Sequence, residues 1–146
     1  MTHPAHTASV ELTIPFHDCD PLAVAWHGRY FEYFEASRSA LLHAHRLDVP
    51  DMIELGIRMF VTEVRCRYTF PLSYGDRFRV ASWFTECDAI IKVSYEIVNL
   101  TRNRKSARAF TRLALTDNLG RLLTEIPPVV RERLPNLAPQ SPPLAK

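Results

Sequence analysis

The sequence predicts an α+β domain in which an antiparallel β-sheet curls around one long α-helix. Three observations carry that expectation. A strand-like alternation opens the chain, and a helix-compatible stretch without Gly or Pro follows it. The remainder reads as strands joined mainly by short turns, a connection that pairs strands antiparallel.

Between Ser9 and His17, Val10, Leu12, Ile14 and Phe16 alternate with other residues, the period-two pattern of a half-buried strand. From Arg29 to about Arg46, Tyr30, Phe34, Leu41 and Leu42 share one stripe at helical spacing, with Ala44 and His45 beside them. Glu32, Glu35, Ser39 and His43 fall on the polar side, and Glu35 and Arg38 are placed to pair across one turn. A short helix from Asp51 to Leu55 stops at Gly56. Strands are expected from Met59 to Phe70, Arg77 to Thr85, Ile91 to Leu100 and Ala107 to Thr116, with a last one from Leu122 to Ile126. Asn118-Leu119-Gly120 has the chemistry of a hairpin loop. A single apolar stripe must be buried, and the sheet is the only large partner for it.

The 146 residues, 47% hydrophobic, suffice for one domain with its own core. Residues 1–8 read as a flexible N-terminus, 9–134 as the domain, and 135–146 as a disordered proline-rich tail. Three cysteines without CxxC spacing point to reduced thiols and a cytoplasmic setting. The opening MTHPAHTA lacks the basic and apolar regions of a signal peptide. No apolar run approaches the roughly 20 residues of a membrane span. A formal net charge of +2 is too balanced for nucleic-acid binding. One basic cluster, Arg102, Arg104, Lys105, Arg108 and Arg112, is either a solvated hairpin tip or a contact for an anionic partner such as a nucleotide phosphate or an acidic carrier protein.

The chemistry concentrates in HDCDPLAVAWHGRYFEYFEASR, residues 17–38. Asp18 and Asp20 fall between the first strand and the helix, and continued alternation would turn them to one side. A carboxylate here can cap the helix, close an Asx-turn, or act as nucleophile or general base in a pocket built by Leu22, Val24 and Trp26. His27 beside His17, Asp18, Cys19 and Asp20 matches no zinc spacing, so no metal is expected. Serine-hydrolase, P-loop and dinucleotide motifs are missing. A helix opening at His27-Gly28-Arg29-Tyr30 turns unpaired N–H groups and a positive dipole end toward the loop, an arrangement suited to an oxyanion. Gly28, without a Cβ, would let a substrate approach the backbone.

The run Phe16-x-Asp18-Cys19-Asp20-Pro21-x-x-Val24-x-Trp26-His27-x-x-Tyr30, followed by Glu35-x-x-Arg38, resembles the hot-dog thioesterases of the 4-hydroxybenzoyl-CoA thioesterase type. The resemblance extends over about residues 9–133. It implies hydrolysis of an acyl-CoA or acyl-carrier-protein thioester without metal or cofactor. It makes Asp20 the catalytic carboxylate, His27 a pocket-lining partner, and the N–H groups at His27 and Gly28 the polarising donors. Trp26, Tyr30, Met59, Thr62 and Glu63 would contribute to the substrate pocket, the last three from a neighbouring subunit. Arg102, Arg104, Lys105 and Arg108 would meet the phosphates or carrier. Ala23 stands where the family usually has Gly, and Arg29 where it often has Asn. The stretch Asp88-Ala89-Ile90-Ile91 replaces a basic run that some relatives use on CoA phosphates.

Two other readings compete. A non-catalytic acyl- or carrier-binding module would retain the fold without turnover. A hot-dog dehydratase of 3-hydroxyacyl thioesters would need a histidine base on an HxFPxxP-like signature, which this sequence lacks. One helix covers one face of a sheet whose edge needs a partner, so a homodimer, or a tetramer built from dimers, is expected. Phe31, Tyr33, Met59, Phe60 and Phe70 are candidates for an aromatic acyl pocket.

Overall fold

A computed structural model describes residues 3–137. The elements are β1 (Ala8–Thr13), α1 (Tyr30–Ala44), α2 (Val49–Leu55), β2 (Ile57–Tyr68), β3 (Arg77–Cys87), β4 (Ile90–Asn99), β5 (Arg104–Asp117) and α3 (Pro128–Arg131). The five strands form one sheet in the order β1-β3-β4-β5-β2, with every neighbouring pair antiparallel. The α+β architecture expected from the sequence is therefore present, with β1 and β2 at the two edges.

α1 lies across the β1–β3 half of the sheet. Its buried stripe is Tyr30, Tyr33, Phe34, Ser37 and Leu41. Tyr33 and Ser37 were not in the expected stripe, whereas Leu42 is only half-buried and Ala44 is exposed. Tyr33 packs on Phe78 and Phe34 on Tyr95, each pair with ring centroids 4.8 Å apart. A serine fits between them because its hydroxyl is satisfied. Ser37 Oγ lies 2.8 Å from Ser82 Oγ, and Ser82 Oγ donates to Ser37 O at 3.0 Å. Arg38, expected opposite Glu35, instead donates to the Tyr95 hydroxyl at 3.2 Å.

α2 begins earlier than the sequence indicated because Asp48 and Asp51 form a reciprocal capping box around its first turn. Gly56 ends it in a left-handed conformation at φ 70°. The expected strand from Leu122 to Ile126 does not form. Leu122 makes a single bridge to Thr116, and Pro127 and Pro128, having no N–H to extend a ladder, turn the chain into α3.

Residues 3–7 of the segment expected to be loose lie against the sheet. His3 stacks on Trp83 at 4.2 Å, and Phe84 N donates to His6 Nε2 at 3.0 Å. The proline-rich tail falls outside the described residues from 138 onward. Among the described residues no helix is long and apolar enough to cross a membrane.

Candidate active site

The loop between β1 and α1 is folded back on itself by its own backbone. The chain leaves the strand after Thr13 and makes a short 3₁₀ turn over Phe16–Asp18, so the alternation expected to align Asp18 with Asp20 stops there. Trp26 N then donates to Asp18 O, Cys19 and Ala25 form an antiparallel bridge, and Asp20 N donates to Val24 O at 2.9 Å. This narrow ladder returns Asp20 to the chain that enters α1. A second 3₁₀ turn, His27–Arg29, precedes the helix, which starts at Tyr30 rather than Arg29.

The two aspartates therefore take different positions. Asp18 is buried and accepts a hydrogen bond from the Tyr33 hydroxyl at 2.7 Å, with Arg29 Nε 3.7 Å and His17 Nε2 3.5 Å away. Burial first, and then the bond to Asp18, pushes the Tyr33 hydroxyl well above the usual tyrosine range, so it remains a donor. Asp18 anchors the loop to α1. Asp20 is only half-buried. Its Oδ1 accepts from Leu22 N at 2.9 Å and Val24 N at 3.4 Å, the Asx-turn among the three roles open to it. Oδ2 has no partner among the described residues. One oxygen thus fixes the carboxylate in the turn.

The cysteine between them is not poised as a nucleophile. Burial, with both neighbouring carboxylates adding to it, raises the Cys19 thiol pKa and disfavours the thiolate.

At the helix entry, intrahelical bonding begins with Arg29 N to Trp26 O. The N–H groups of His27 and Gly28 precede it and meet no protein acceptor among the described residues, as the first donors of a helical turn do. The His27 carbonyl accepts from Tyr68 Oη at 2.8 Å, which pins the entry to the end of β2. Tyr68 also packs edge-on against the buried Tyr30 at 4.7 Å. Burial, with a smaller contribution from Cys66, pushes the Tyr68 hydroxyl up to about 12. The His27 ring is exposed beside Trp26. Sequence reasoning named Tyr33 only as a pocket candidate, not as the partner of Asp18, and missed Tyr68. The role of Tyr33 could have been found from its place three residues after Tyr30, but nothing marks Tyr68 in the sequence.

Gly28 has a different reason for its missing Cβ than substrate access. The Trp26 indole folds over it, and a Cβ would come within 2.2 Å of that ring. Ala23 occupies the left-handed region at φ 63°, which explains why glycine suits this position. Arg29 holds the helix entry by charge, donating to Glu32 at 3.0 Å besides facing Asp18.

The remaining candidates are dispersed. Met59 is half-buried and lines a cavity of about 420 Å³ between α1, α2 and β2, together with Arg38, Leu42, Met52 and Val61. Thr62 sits at a bulge in β2 and donates to Arg112 O, while Glu63 pairs with Arg112 at 3.4 Å. Within one chain these residues are not brought to Asp20. The basic cluster is also split. Arg102 lies 3.8 Å from Asp76, Arg104 covers the Phe70 ring at 4.3 Å, and Lys105 pairs with Glu96. Of the aromatic pocket candidates, Tyr33 is core and Phe31 and Phe60 are exposed.

Residues 14–134 match the family model of the thioesterase-like superfamily. The chain belongs to that family. Among its relatives, a Synechocystis protein provisionally named an esterase is 26% identical over 120 residues, 81% of this chain and 72% of its own. A Bacillus subtilis protein, YneP, provisionally named an acyl-CoA thioesterase, is 25% identical over 95 residues, 64% of this chain and 69% of its own. The structure also superposes on that of a 4-hydroxybenzoyl-CoA thioesterase variant solved with 4-hydroxybenzoyl-CoA, with a TM-score of 0.79. That likeness covers 90% of this chain and all of the other at 18% identity, and it speaks for a shared hot-dog fold.

Proposed function

We propose that the protein hydrolyses an acyl thioester, with Asp20 as the reacting carboxylate and the N–H groups of His27 and Gly28 as the oxyanion donors. The observation that carries this reading is the folded-back loop, which sets a half-anchored carboxylate beside a helix entry whose first donors are unused. Family membership and the acyl-CoA thioesterase relative support the substrate class.

In the reaction, the carbonyl oxygen gains negative charge as it is attacked, and fixed N–H dipoles stabilise that charge without reorganising. Asp20 Oδ2 either attacks the carbonyl carbon, expelling thiolate and leaving a mixed anhydride that water opens, or removes a proton from the attacking water. Both routes consume one water and release a carboxylic acid and a thiol. A single turnover in oxygen-labelled water that places label in the Asp20 carboxylate would establish the anhydride.

The site needs a second copy of the chain. Leu22 is 83% exposed and Trp26 52%, so the apolar walls expected around Asp20 face solvent in a single subunit. The edge strand β2 likewise exposes Val61, Val64 and Tyr68. Pairing β2 with its counterpart would cover this surface and bring the cavity beside Met59, with Thr62 and Glu63, toward the neighbour's Asp20.

The test is free-thiol release from acyl-CoA and acyl-carrier-protein thioesters by the wild type and by Asp20→Asn. Turnover is expected to fall by about 10²–10⁴-fold in the variant, with an unchanged melting temperature. Equal rates for the two proteins would overturn the assignment of Asp20. Binding of the thioester with no release by either would favour the non-catalytic module.

A further inference from the structure

The sheet face turned away from α1 carries an arrangement that acyl-thioester hydrolysis does not explain. Strand register places side chains on it in rows. Trp83, Ser94, Phe110 and Arg65 lie side by side across four strands. One step along, Ala81, Glu96, Arg108 and Arg67 form the next row. Arg67 and Arg108 are thus directly opposed on neighbouring strands, and like charges in that position repel. Glu96 does not relieve them, because its oxygens are taken by His3 Nε2 at 3.1 Å and Lys105 Nζ at 3.6 Å. Arg65, Arg67 and Arg108 have no carboxylate partner among the described residues.

The residues enclose an open groove of about 560 Å³, floored by Phe110 and walled by the stacked Trp83 and His3 rings. Phe110 is ringed by cations, with Lys92 Nζ 4.4 Å and the Arg112 and Arg65 guanidinium carbons 5.8 and 5.9 Å from its centroid. Arg65, Arg67, Lys105 and Arg108 line the groove with Glu96 as its one carboxylate, and Lys92 and Arg112 flank Phe110.

We infer that this groove binds a small phosphorylated ligand carrying two or more phosphoryl oxygens in reach of Arg65, Arg67 and Arg108. Guanidinium forks engage phosphate in paired hydrogen bonds, and an anion between Arg67 and Arg108 converts their repulsion into shared attraction. The groove's volume lies in the range of small-molecule sites. A second copy laid face to face would set these cations against themselves. Side-by-side pairing of β2 uses backbone groups and leaves the outward side chains free. The site is separate from the Asp20 loop. Its ligand is either the nucleotide part of a CoA-type substrate or an independent phosphorylated molecule.

Titration calorimetry with inorganic pyrophosphate and with ADP at low ionic strength tests the inference. The wild type is expected to bind, the Arg67→Ala/Arg108→Ala variant to bind roughly tenfold or more weakly, and Arg77→Ala, elsewhere on the sheet, to bind normally. Arg67→Glu is a second variant in which the new carboxylate pairs with Arg108. It should melt higher than the wild type and lose binding. Absence of binding to the wild type, or undiminished binding by the double variant, overturns the site. Kinetics then identify the source. A raised KM for acyl-CoA with no change for the acyl N-acetylcysteamine thioester marks the substrate's own nucleotide. Unchanged kinetics on both, with pyrophosphate binding lost, mark a separate ligand. Calorimetry does not depend on turnover, so a protein that hydrolyses no thioester is still tested for this site.

Discussion

The half of the molecule around β1, β3 and α1 and the half around β2 and the Asp20 loop are built to different standards of closure. In the first, Phe34, Leu41, Phe78, Val80 and Phe84 are essentially inaccessible, and the buried serine pair satisfies its own hydroxyls. In the second, α1 touches β2 through Tyr30 on Tyr68 and across the cavity beside Met59, and β2 exposes residues along most of its length. The contrast teaches where chemistry can be located. The closed half holds α1 through Tyr33 and Phe34, and Tyr68 of the open half pins the helix entry. The open half has donors, a carboxylate and apolar surface left over, all of which a substrate or second subunit can use.

The largest expected effect lies in the closed half. Phe34→Ala removes a fully buried ring packed on Tyr95 and is expected to cost about 3–5 kcal/mol, read as a lowered denaturant midpoint. If the halves truly differ, truncating Phe60, which is 48% exposed on β2, should cost far less in the same measurement. A comparable loss at both positions would break the distinction.

A charge on the open edge should act on association instead. Val64→Lys places an ammonium on β2 opposite Thr111, where Val64 is 39% exposed, and edge lysines block strand pairing. Sedimentation should show the proposed dimer shifting to monomer, and hydrolysis should fall with it because the site loses its neighbour. The folded monomer should retain its circular dichroism spectrum. A dimer that persists in the variant would show that β2 is not the contact.

A smaller effect, of opposite sign, is expected within the loop. Ala23 holds a left-handed backbone that costs an L-residue roughly 1–2 kcal/mol, and glycine removes this while adding freedom to the unfolded chain. Ala23→Gly should therefore raise stability by about 0.5–1 kcal/mol in chemical denaturation. Destabilisation instead would mean that the Ala23 methyl has a packing role.

The same division governs what could be read from the sequence. The closed half was legible because its signals are periodic. The alternation through Phe78, Val80, Ser82 and Phe84 predicts strand β3, and those residues are buried as expected. Asp20 and the helix entry were recognisable because DCDP and WHG are consecutive in the chain. Where contacts join distant residues, the sequence carried no marker. The bond from Tyr68 to the His27 carbonyl spans 41 positions. The separation of Arg102 and Arg104 from Arg108, and the company Arg108 keeps with Arg65 and Arg67, follow from sheet register, which is a property of pairing. The Leu122–Ile126 stretch follows a turn signal at Asn118-Leu119-Gly120, but its LLTEI run lacks alternation and the two prolines at its end remove the donors a strand requires.

The smallest effect concerns the N-terminal strap at the end of the closed half. His6 Nε2 accepts the Phe84 N–H at 3.0 Å, its ring lies against Phe84 at 5.8 Å, and His45 faces it at 6.0 Å. A protonated Nε2 cannot accept that bond. Burial, and then the neighbouring His45, hold the His6 pKa below its ordinary 6.5. The unfolded chain, titrating near 6.5, therefore takes up the proton first as pH falls. The stability His6 contributes is complete above that value and is lost progressively below it, toward the lower pKa of the folded state. Melting temperature followed from about pH 8 downward should hold and then decline more steeply in the wild type than in His6→Leu. Sedimentation over the same range should show no difference between the two proteins, because His6 sits on β3, which β4 and β5 separate from β2. Parallel melting curves would mean that His6 adds no pH dependence, and a change in association would mean that the two halves are coupled through the sheet.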